Sequence, residues 1–105
     1  MDFWKIKQEL VQVSAECGWN EISTDWHGVD IVWPLLEKIR QEGSVFILKV
    51  DGERIGQHAN GPFTTAITGG PLQEEGIRID CHRLEDALAY SIVEFARKVW
   101  GFKSS

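Results

Sequence analysis

A chain of 105 residues with 43% hydrophobic content has room for one core, and its formal net charge of -5 sets it against polyanionic partners. No nucleic acid is therefore expected as a ligand, and no apolar run approaches the roughly 18 to 20 residues that a membrane-spanning helix needs. A single α+β domain spanning residues 1–105 is the expected organisation, with no membrane partner.

The first element predicted is a helix from Phe3 to Cys17. Phe3, Ile6, Leu10, Val13 and Cys17 recur at spacings of three and four and so share one face. Asp2 is placed to cap its start and Gly18 to end it in a left-handed conformation. From Trp19 to Val32 no period is sustained, although Trp19 to Thr24 has the composition of a short strand, and the region reads mostly as loop. Pro34 suits a first helical position, and with Val32, Leu35, Leu36 and Ile39 on one face it predicts a second helix to Glu42, closed by Gly43.

Val45 to Val50 is β-branched and aromatic, and the Asp51-Gly52 that follows is a strong hairpin signal, so Glu53 to His58 is expected as the returning strand. After a turn at Ala59-Asn60-Gly61-Pro62, Phe63 to Thr68 is expected as a third strand. Gly69-Gly70-Pro71 breaks the chain again before a fourth at Ile77 to Cys81. Leu84, Leu88, Ser91, Ile92, Phe95 and Val99 trace a final helix to about Trp100, with His82 or a neighbour at its cap and Glu85 placed to reach back to a free amide. The order is thus α-α-β-β-β-β-α, a four-stranded antiparallel meander with helices packed on one face.

The residues that usually carry chemistry are scattered. Cys17 and Cys81 do not make a disulfide framework and read as packed, reduced thiols, which with the absence of a signal-like start points to the cytoplasm. Cys81 and His82 are neighbours at a strand end and point in opposite directions, so they make a poor nucleophile and base. His27, His58 and His82 show no metal-ligand spacing, and Asp25, His27 and Asp30 on one loop are too oxygen-rich for zinc. The glycine pairs lack the strand-to-helix setting of a phosphate loop. No catalytic residue, cofactor or metal is expected, and the chain reads as a non-enzyme.

One segment stands apart. Between Gln8 and Glu37 there are six acids and no lysine or arginine, and Trp19, Trp26 and Trp33 fall in or beside it. Tryptophan is enriched at interface hot spots, and acidic rims steer basic partners. Trp19, Glu21, Asp25, Trp26, Asp30 and Trp33 are therefore the candidate partner-binding residues of a protein-binding domain. The expected form is a small acidic inhibitor, such as a toxin immunity protein or an inhibitor of a nucleic-acid enzyme. Two alternatives differ in class: a small-molecule or catalytic pocket lined by Trp4, Trp100, His58 and Thr65, and a self-assembling subunit that pairs an exposed sheet face or edge with its copy.

Overall fold

The computed structural model describes residues 1–53 and 60–104. Asp2 caps helix α1 (Phe3–Glu16), its carboxylate accepting from the backbone N–H of Lys5 at 3.1 Å. The helix sinks Leu10 and Val13 into the core, with Phe3, Ile6 and Cys17 half-buried along the same stripe. Helix α2 (Trp33–Gln41) carries Pro34 in its first turn, buries Leu35 and Ile39, and is followed by Gly43 at φ 95°. Helix α3 (Leu84–Phe95) is the most deeply packed, with Leu88, Ser91, Ile92 and Phe95 fully enclosed. It does not continue as a regular helix to Trp100. Residues Ala96–Trp100 widen into a π turn, and Gly101 then ends the run at φ 71°.

Three antiparallel strands, β1 (Val45–Val50), β2 (Phe63–Thr68) and β3 (Ile77–Cys81), form the sheet of the described residues in the order β1-β2-β3. Four strands were expected. The expected returning strand after β1, Glu53 to His58, falls mostly on residues 54–59, outside the described residues. Val50 pairs directly with Phe63 and Val45 with Thr68. Asp51-Gly52 still starts a local turn, Asp51 accepting from the N–H of Glu53 at 2.9 Å, while the N–H of Asp51 donates to the carbonyl of Pro62 at 2.8 Å and closes the longer connection. Burial holds β2 in this register beside β1: Thr65 and Ile67 of β2 disappear beneath α3.

Phe46, Leu48 and Val50 share the helix-covered face with Phe63, Thr65 and Ile67 of β2 and with Ile77, Ile79 and Cys81 of β3. α3 lies over β2 and β3, α1 packs on α3, and α2 packs on β1 and α3. The hydroxyl of Thr65, fully buried, is satisfied by the carbonyl of Ala87 at 2.9 Å and by Ser91. The opposite face is polar, with a hydrogen bond from Thr64 to Asp80 and an ion pair between Arg78 and Asp80 at 3.6 Å.

Two ion pairs lock α1 to the C-terminal third of the chain. Lys7 meets Asp86 at 2.8 Å, and Glu9, only 4% exposed, is held by Arg97 and Ser104. Burial alone would push the Glu9 carboxyl up, but the bonds from Ser104 and Arg97 and the Arg97 charge outweigh it and hold it below the ordinary 4.5. A carboxyl lowered in this way contributes stability that is complete above its unfolded value and is lost as pH falls through the lower native one. Glu9→Gln is therefore expected to cost about 1 to 2 kcal/mol at neutral pH. The gap should narrow as pH falls from about 5 to about 3, which urea titrations at both ends of that window measure.

Candidate protein-binding surface

The acidic segment between α1 and α2 is irregular yet closely tied. The hydroxyl of Ser14 donates to the carbonyl of Trp19, whose own N–H returns a bond to Ser14 at 2.8 Å. The indole Nε1 of Trp19 then donates to the carbonyl of Ile31 at 2.8 Å, so the two ends of the loop are joined through one side chain. Ile22, Trp26 and Val32 point into the core. Trp26 folds its Nε1 back onto the carbonyl of Gly28 at 3.0 Å, and the N–H of Gly28 donates to Glu85 at the start of α3 at 2.9 Å. Burial favours a neutral Glu85, but the Gly28 bond, its own backbone N–H and the charges of His27 and Arg83 keep its carboxyl below the ordinary range.

Glu85 is thus not the local cap expected of it. The residue before α3 is Arg83, which makes no side-chain cap bond, and His82 is exposed. The carboxylate serves a partner 57 residues away instead. A favourable first-turn acid is retained, but its hydrogen bond fastens the loop.

The six candidate residues divide between core and surface. Trp26 is 6% exposed and belongs to the core, and Trp19 is half-buried with its N–H already used. Trp33, at the first turn of α2, is 54% exposed, and Glu21, Asp25 and Asp30 are exposed. The hydroxyl of Ser23 donates to Asp25 at 2.7 Å and, as the largest influence, holds its carboxyl below the ordinary range. The spacing of seven does not mark a helix face, because the three indoles sit in three different environments. Of the six acids in the basic-free stretch, Glu9 is neutralised by Arg97 and Glu37 pairs with Arg40 at 2.9 Å, so the outward charge concentrates on the loop.

A second surface was not singled out in the sequence. On β1, Val45 is 56% and Val50 65% exposed, and Ile47 and Leu48 are also exposed. A cleft of about 350 Å³ joins Trp33 and Leu36 of α2 to Val45 and Phe46, so Trp33 stands where the acidic loop meets this strand. The signal was present in Val45-Phe46-Ile47-Leu48, which is apolar at consecutive positions. An alternating strand would bury one face and wet the other.

The pocket expected around Trp4, Trp100, His58 and Thr65 is not assembled. Trp4 is exposed on α1, Thr65 is sealed beneath α3, and His58 lies outside the described residues. Trp100 instead lines a cleft of about 300 Å³ with Val13, Cys17, Lys38 and Phe102, and its Nε1 is buried without an acceptor among the described residues. Burial pushes the Cys17 thiol up. The Cys81 thiol is pushed up to about 11 by burial and then by Asp86 and Asp80, so neither is poised as a thiolate. Among the described residues, no three His, Cys, Asp or Glu side chains cluster to hold a metal ion, and no helix is long and apolar enough to cross a membrane. Comparison with protein-family models, curated proteins and solved structures returned no match.

Proposed function

We propose that this chain is a non-enzymatic protein-binding domain that docks the basic surface of another protein through Glu21, Asp25, Asp30 and Trp33. The form that fits is a small acidic inhibitor, such as an immunity protein for a toxin or an inhibitor of a nuclease. The observation that carries the reading is the exposed indole of Trp33 at the end of a loop whose acids face solvent while Ile22 and Trp26 anchor it in the core. A loop fixed beforehand loses little conformational freedom on binding, and an exposed indole supplies the apolar contact that acids alone lack. The acids raise the rate of encounter with a cationic cleft and reject other anions.

Capture of partners from the source cell's lysate at low and raised salt, read by mass spectrometry, tests this. A basic protein released by salt is the expected catch. Trp33→Ala is expected to weaken its binding by about 2 kcal/mol, roughly 30-fold, without loss of fold. A Trp33→Ala variant that binds the captured protein as tightly as the parent removes the proposed surface.

A further inference from the structure

Among the described residues β1 is an edge strand: β2 occupies one side, and no described strand pairs with the other. Natural edge strands are usually kept short, charged or covered, because their free N–H and C=O groups invite another strand. β1 carries one charge in six residues, Lys49, which is 3.4 Å from Asp51. Its aliphatic side chains project from both faces of the sheet: Val45 and Ile47 from the polar face, Leu48 and Val50 from the helix face where α2 and α3 leave them uncovered. From this we infer that β1 pairs antiparallel with β1 of a second copy, joining two sheets into one of six strands about a two-fold axis.

The strand is complementary to itself. With the axis at Ile47, Lys49 falls opposite Val45 and Phe46 opposite Leu48. With the axis at Leu48, Lys49 falls opposite Ile47 and Phe46 opposite Val50. Neither register sets like charges against each other, and both bring aliphatic and aromatic side chains together on the helix face. Val45, Ile47, Leu48 and Val50 are 56%, 47%, 37% and 65% exposed, a strip of four residues that is smaller than the about 800 Å² per partner of a standard interface. That is enough for a reversible dimer and too little for an obligate one. The occupant is a second copy because the edge is apolar and almost uncharged, and so offers a basic segment nothing to pair with.

Two bodies of charge -5 repel, so this dimer should tighten with salt, whereas docking of a basic partner on the acidic loop should loosen with it. The opposite signs keep the two proposals separable. Sedimentation equilibrium of the full chain from about 5 to about 500 μM is expected to show monomer and dimer with a micromolar Kd. That Kd should fall a few-fold between about 50 and about 500 mM salt. Ile47→Lys sets two ammonium groups against each other in either register and should weaken the dimer at least ~10-fold, while circular dichroism shows the fold retained. Should that variant lose its fold, Leu48→Lys repeats the test in either register, placing an ammonium group opposite Phe46 with the axis at Ile47 and opposite its own copy with the axis at Leu48. A chain that stays monomeric throughout, or a dimer that survives the substitution, overturns the inference. So does slow exchange of every β1 amide in a dilute monomer, which would mean that the chain covers its own edge.

Discussion

Gly61→Ala is expected to be the most damaging single substitution in the chain, lowering stability by on the order of 4 kcal/mol. Gly61 has φ 111°, a conformation that side-chain-bearing residues rarely adopt. A Cβ added there would stand 2.1 Å from the carbonyl oxygen of Cys81, 2.2 Å from its carbon and 2.5 Å from the nitrogen of His82. Those are backbone atoms at the end of β3, and they can retreat only by breaking the pairing of Phe63 with Cys81 two residues further on. A flexible side chain could turn aside; a paired backbone cannot. Since small domains are stable by only about 5 to 15 kcal/mol, the variant should unfold at a much lower urea concentration than the parent. A midpoint within the error of the parent would show that the end of β3 yields easily.

Trp26→Ala comes next, with an expected loss of about 3 to 5 kcal/mol. The indole fills part of the core beside Ile22 and Val32, and its N–H holds the Gly28 carbonyl while Gly28 is bound to Glu85. Removing it leaves a cavity and frees the middle of the loop. Because Trp26 is enclosed, partner affinity should fall only through loosening of Glu21, Asp25 and Asp30. Denaturation and partner titration on the same variant measure both quantities. A fully stable Trp26→Ala protein would mean that the loop stands without its core anchor.

These two sites differ in how much of them the sequence disclosed. Gly61-Pro62 was legible as a turn, but the close approach of Cys81 was not, since it depends on two strands meeting across twenty residues. The three tryptophans at intervals of seven were visible, and their separation into core, half-buried and exposed positions was not. Nothing in the interval distinguishes Trp26, which the loop turns inward, from Trp33, which α2 turns outward. Glu85 shows the same limit. Its position in the first turn of α3 follows from the helical pattern, and its bond to Gly28 follows only from where the loop arrives.

What the sequence determined by itself was local. The ends of α1 and α2, the bounds of β2 and β3 and the buried stripe of α3 follow from capping side chains, glycines and apolar spacing, which act between neighbours in the chain. The tertiary structure decided which strand β1 takes as its partner, where the acids are neutralised and which apolar side chains stay wet. Asp51-Gly52 predicts a local hairpin whose returning strand lies outside the described residues, while the pairing of β1 with β2, whose Thr65 and Ile67 are buried beneath α3, depends on contacts distant in sequence. The exposed side chains of β1 and the outward set of Trp33 follow from that packing, because α3 lies over β2 and β3 while α2 meets β1 across a cleft lined by Trp33, Val45 and Phe46.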